Sequence, residues 1–104
     1  MAQIVWTEPA LSDLDTIAGY IALDDFRAAS EFVSKVFDCV QRLEHYPNSG
    51  KRPPELPHTP YREVIVPPSR VFYRVNEESV YILHIVRSER QLRTHLLTLR
   101  DPSQ

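Results

Sequence analysis

The sequence predicts an α+β fold: an N-terminal strand, an antiparallel helical hairpin, a three-stranded antiparallel meander that completes one sheet, and a short C-terminal helix. Three observations carry this. The first half repeats apolar residues at three- and four-residue spacing, the helical period. The second half switches to short β-branched and aromatic runs divided by turn residues. A proline-rich stretch lies between them and can continue neither pattern. With 104 residues, 42% hydrophobic and 25% charged, residues 1–104 read as one domain of ordinary globular composition.

Each element has a local reason. Gln3 to Thr7 is short, β-branched and aromatic, which favours a strand. Thr7 then caps a helix whose first turn holds Glu8 and Pro9, both favoured there. Leu11, Leu14, Ile17, Ala18 and Ile21 form one apolar face, and Asp13, Asp15 and Thr16 are expected to turn outward. Asp24 or Asp25 restarts a helix carrying Ala29, Phe32, Val33, Val36, Phe37, Val40 and Leu43 as far as Tyr46-Pro47. The short break at Leu23 to Asp25 requires the two helices to run antiparallel.

Residues 47–60 contain five of the nine prolines with Asn48, Ser49 and Gly50, a stiff irregular connector. Arg62 to Val66, Arg70 to Val75 and Val80 to Val86 then read as strands. The intervening Pro67-Pro68-Ser69 and Asn76-Glu77-Glu78-Ser79 are turn chemistry, and links this short force an antiparallel meander. The third run is almost wholly apolar and is expected to be central and covered on both faces. Ser88 and Gln91 match a capping box, which predicts a last helix with Leu92, Leu96 and Leu99 on one side.

Composition excludes several classes. The single cysteine, Cys39, cannot form an intramolecular disulfide, so a reducing, cytoplasmic setting is expected. No stretch approaches the roughly 18 apolar residues of a membrane span. Two glycines cannot build a phosphate loop, and one cysteine with dispersed histidines offers no zinc site. No cofactor and no metal are expected, and Cys39 beside an apolar stripe reads as core filler.

Charge is asymmetric along the chain. Residues 1–50 carry three basic groups against eight acids, and residues 51–104 carry nine against six. Ten of the twelve basic residues are arginine, whose planar fork suits phosphate and carboxylate. Arg70 and Arg74 are four apart on a strand and so share a face with Phe72 between them. Arg62, Arg87 and Arg90 lie where the meander could add them to one surface. Such a surface could hold phosphate and stack a base, dock acidic groups of a protein, or simply balance Glu63, Glu77, Glu78 and Glu89. His84 reads more readily as a satisfied strand histidine than as a base.

The order of these pieces resembles the RelE/ParE superfamily of bacterial toxins from type II toxin–antitoxin modules. The stretches that carry the resemblance are Ile4-Val5-Trp6-Thr7, Ala10-Leu11-Ser12-Asp13-Leu14-Asp15-Thr16-Ile17, Tyr20-Ile21 and Pro47-Asn48-Ser49-Gly50-Lys51-Arg52-Pro53. Tyr61-Arg62-Glu63, Arg70-Val71-Phe72-Tyr73-Arg74-Val75 and Val80-Tyr81-Ile82-Leu83 complete it, so that it spans roughly Gln3 to Leu92. The resemblance implies a toxin held inactive by a cognate antitoxin lying over the hairpin and sheet, with Phe72, Leu92, Leu96 and Leu99 as its contacts. RelE-like members cleave messenger RNA on the ribosome; ParE-like members bind and poison DNA gyrase.

The position after the last strand, often histidine in the family, is Arg87 here. Arginine stays protonated and is no general base at neutral pH. The ParE-like reading follows, with Arg62, Arg70, Arg74, Arg87 and Arg90 as the gyrase-binding surface and no catalytic residues. The alternatives are a ribonuclease using His84, Tyr81 and Arg87, or a non-toxic member kept for antitoxin binding and autoregulation. Neither membrane association nor sequence-specific DNA binding by the chain alone is expected.

Overall fold

The computed structural model describes residues 1–103. A four-stranded sheet, order β1-β4-β3-β2, carries a helical hairpin on one face. β1 (Gln3–Trp6) runs parallel to the first half of β4 (Ser79–Arg87), while β2 (Tyr61–Val66), β3 (Ser69–Asn76) and β4 form the expected antiparallel meander.

Helix α1 (Glu8–Ala22) starts as its sequence requires: the Thr7 side chain accepts from the Ala10 amide at 3.3 Å. The same hydroxyl donates to the Ile82 carbonyl at 2.7 Å, which ties the start of the helix to β4. Asp25 caps α2 (Phe26–Gln41) by accepting from the Ala28 amide. A 3₁₀ turn at Arg42–Glu44 ends the hairpin. Ala10, Leu14 and Ile17 of α1 with Phe32, Val36 and Val40 of α2 bury against Val71, Tyr73, Val80, Ile82 and Ile85.

A second, smaller core covers the opposite face with Tyr61, Phe72, Leu83, Leu92 and Leu97, and Leu56 of the connector packs on it. β4 is therefore covered on both faces, as its sequence predicts. β3 and β4 slip register between Phe72 and Tyr73, so that Phe72 faces His84 and Tyr73 faces Ile82.

The connector contributes only turns, bends and one bridge, Lys51 to Glu63. It is pinned by a fully buried tyrosine. The Gly50 amide donates to Tyr73 Oη at 2.9 Å, and that hydroxyl donates to the Pro47 carbonyl at 2.8 Å. Arg62 adds a bond to the Gly50 carbonyl at 2.8 Å.

Two expectations fail locally. Ser88 does not cap a helix: Ser88 to Arg90 form a turn, and α3 is only His95–Arg100 with no side-chain cap at Thr94. The Leu92, Leu96, Leu99 stripe dissolves with it. Leu92 and Leu97 are buried, whereas Leu99 is 77% exposed. Asp13 does not turn outward either; it is drawn onto the edge of β4.

Candidate functional site

β1 ends at Trp6, so β4 beyond Ile82 presents a free edge. An unpaired edge leaves backbone donors and acceptors to be satisfied by other groups. Asp13 of α1 supplies the acceptor, taking the Ile85 amide at 3.0 Å. Its Oδ2 also lies 2.7 Å from His84 Nδ1 and 2.7 Å from Arg100 Nη1. Arg100 in turn donates to the Leu83 carbonyl at 3.1 Å. Burial alone would raise the Asp13 carboxyl, but hydrogen bonds from His84, Arg100 and the Ile85 amide outweigh it and hold its pKa below the ordinary carboxylate value. His84 is only 7% exposed and stacks near Phe72, so the structure makes it a satisfied strand histidine.

Around this junction opens a cleft of about 840 Å³, lined by Asp13, His84, Val86, the segment Arg90 to Leu96, and Arg100. Among the described residues, three arginines (Arg90, Arg93 and Arg100) line it against a single carboxylate. Arg100 is engaged by Asp13. Among the described residues, the side chains of Arg90 and Arg93 have no ion-pair or hydrogen-bond partner.

The five arginines singled out in the sequence do not make one surface. Arg70 and Arg74 share the sheet face of Phe72, as the period of two requires, but both are neutralised. Arg70 binds Glu63 at 2.7 Å and Glu55 at 2.8 Å, and it lies 4.8 Å from the Phe72 ring centroid. Its hydrogen bonds hold Glu55 below the usual carboxylate range and raise Arg70 itself. Arg74 binds Asp101 at 2.9 Å, and Tyr61 donates weakly to the same carboxylate. Arg62 points to the connector on the hairpin side. Arg87 pairs with Glu89 at 2.8 Å and stands 4.6 Å over the ring of Tyr20 on α1. Arg90 alone of the five enters the basic cleft.

The apolar residues named as contacts are also redistributed. Phe72 is fully buried and Leu92 nearly so; both are core beneath α3, because the C-terminal segment folds over them. Leu96 is half-buried in the cleft wall and Leu99 is exposed. Tyr81 packs at the margin of the second core. A different apolar surface is open instead. Ala18, Gly19, Ala22, Phe26, Ala29, Ser30 and Val33 line a groove of about 390 Å³ between α1 and α2. Beside it Tyr20, Leu23 and Phe26 are 58%, 81% and 76% exposed. Small residues leave the groove open, since a Cβ added at Gly19 would meet nothing within 4 Å. Among the described residues no cluster of histidine, cysteine, aspartate or glutamate is placed to hold a metal ion, and no helix is long and apolar enough to cross a membrane.

Sequence comparison agrees with the architecture. The family model for the ParE toxin of type II toxin-antitoxin system, parDE, matches residues 4–92. Toxin RelE2 of Caulobacter vibrioides is 35% identical over 91 residues, covering 86% of this chain and 99% of that protein. A chain in the solved structure of the chromosomal ParDE TA system from P. aeruginosa superposes with a TM-score of 0.72 at 30% identity, covering 86% of this chain and 98% of that one. With the strand–hairpin–meander order matched over almost its whole length, this chain belongs to the ParE toxin family of type II toxin–antitoxin systems.

Proposed function

We propose that this toxin acts by binding DNA gyrase, without chemistry of its own, and that a cognate antitoxin neutralises it. One observation carries the choice of target. On the sheet face opposite the hairpin, the C-terminal segment buries Phe72, Leu83, Leu92 and Leu97, and Arg70 and Arg74 are paired with acids. Cleavage of a ribose phosphate backbone needs a base beside a free cation, and Arg70 and Arg74, bound to acids, are not free on that face. The histidine nearest to it, His84, is buried between Asp13 and Arg100. Arg87 and Arg90, at the exit of β4, are the docking residues of this reading; Arg62, Arg70 and Arg74 hold the fold.

The antitoxin takes the groove between α1 and α2. Large exposed apolar side chains rimming a groove of small residues suit the apolar face of an amphipathic helix. This neutralising partner is proposed from the ParDE system that the fold resembles.

Expression of the chain alone, with DNA and protein synthesis followed by pulse labelling, tests the target. DNA synthesis falling first, and relief of arrest by Arg87→Ala with Arg90→Ala, is the expected result. Protein synthesis falling first would replace the gyrase reading by the ribosomal one. Absence of arrest would mark a non-toxic member.

A further inference from the structure

The cleft at the free edge of β4 has a chemistry that gyrase docking leaves unexplained. Intramolecular acids neutralise Arg70, Arg74, Arg87 and Arg100, yet Arg90 and Arg93, which line this cleft, have no ion-pair partner among the described residues. Among the described residues Asp13 is the only carboxylate in the lining, and it is already bound by His84, Arg100 and the Ile85 amide. The cleft therefore holds two uncompensated guanidinium groups, and exposed His95 stands at its rim. Two guanidinium forks lining one space suit the doubly charged oxygen face of a phosphate monoester.

The remaining wall is apolar. Half-buried Val86 and Leu96 line the cleft beside the arginines, an apolar surface on which a planar ring can lie. The volume, about 840 Å³, falls within the usual range for small-molecule sites. A long polyanion fits less well. The chain has a net charge of −2, and two free cations give little of the summed phosphate contact on which polymer binding depends.

We propose that this cleft binds a phosphorylated small molecule of the mononucleotide class, its phosphate held by Arg90 and Arg93 and its ring resting on Val86 and Leu96. The proposal concerns the isolated chain; it shares Arg90 with the gyrase reading, whereas Arg93 belongs to this site and not to that docking surface.

Isothermal titration calorimetry of the full chain at low ionic strength tests it, with AMP, adenosine, inorganic phosphate, a glutamate-rich peptide and a single-stranded oligonucleotide as titrants. Saturable binding of one AMP per chain is expected, with phosphate weaker and adenosine absent. The Arg90→Ala, Arg93→Ala double variant should lose at least about tenfold in affinity, the scale of one lost hydrogen bond to a charged group. Both arginines are exposed, and circular dichroism checks that the double variant keeps its fold; Arg93→Glu gives a second, charge-reversed reading. Failure of AMP to bind, or equal affinity in the double variant, would overturn the site. Phosphate binding as tightly as AMP would remove the apolar wall and with it the mononucleotide. Peptide or oligonucleotide binding more tightly than AMP would assign the arginines to a macromolecule instead.

Discussion

The two glycines make the same substitution act in opposite directions. At Gly50 an added Cβ would lie 2.5 Å from Tyr73 Oη, 2.7 Å from its Cε1 and 2.8 Å from the Glu63 carbonyl oxygen. None of these can retreat cheaply. The tyrosine is fully buried in the main core, and the Glu63 carbonyl accepts from the Lys51 amide at 3.0 Å. Overpacking of this kind costs about 1–3 kcal/mol. The displaced hydroxyl also loses its bonds with the Gly50 amide and the Pro47 carbonyl, each worth about 0.5–1.5 kcal/mol. Gly50→Ala should therefore destabilise the chain by about 2–6 kcal/mol, a large part of the roughly 5–15 kcal/mol that holds a typical domain.

At Gly19, exposed in the interior of α1, the methyl meets nothing, so only helix propensity acts. Gly19→Ala should stabilise by about 0.5–1 kcal/mol. Urea unfolding of both variants beside the parent measures each difference, and thermal unfolding should show Gly50→Ala lower by roughly 10 °C or more. A Gly50→Ala variant within about 0.5 kcal/mol of the parent would refute the packing of the connector on Tyr73. The connector would then be free of the sheet, and Tyr73 would no longer be what anchors it.

Two further outcomes test the C-terminal segment and the β4 edge. Leu97→Ala should cost about 2–5 kcal/mol because the side chain is fully buried, whereas Leu99→Ala should stay within about 0.5 kcal/mol of the parent; equal effects would restore the helical stripe that the sequence suggested. Asp13→Asn should cost about 1.5–3 kcal/mol at neutral pH through weakened charged hydrogen bonds. Since the folded carboxyl titrates below its ordinary value of about 4, its contribution is present above that pH and is lost as pH falls through the lowered folded value. Parent and variant stabilities should converge as pH falls below that lowered value; parallel curves would separate Asp13 from the acid limb.

The fold is legible in the sequence because its signals are local. Thr7 and Asp25 act as caps where they stand in the chain, and the valine and isoleucine runs bounded by Pro67-Pro68 and Asn76 to Ser79 leave little choice but a meander. The C-terminal helix is the exception, because Ser88 and Gln91 satisfy a capping pattern that tertiary structure overrides: Leu92 is drawn to the second core before any helix begins.

The site is less legible because its contacts are distant. Asp13 meets His84, 71 residues away, and Arg100, 87 residues away. The one local hint is that Asp13 stands three residues after Ala10 and four before Ile17, at the border of the buried stripe rather than opposite it. The arginines mislead for a related reason. Residue type marks a cation as available for a ligand, but only the folded chain shows that Glu55, Glu63 and Asp101 reach Arg70 and Arg74 first. Phe72, which the strand period sets between those two arginines, is roofed by Leu92 and Leu97.

The most direct measurement is DNA supercoiling by purified gyrase in the presence of this chain, with and without its antitoxin. Gyrase docking predicts loss of supercoiling with accumulation of cleaved DNA, reversed by the antitoxin and weakened in the Arg87→Ala, Arg90→Ala variant. Undiminished supercoiling at large toxin excess, with messenger RNA cut on added ribosomes, would contradict it.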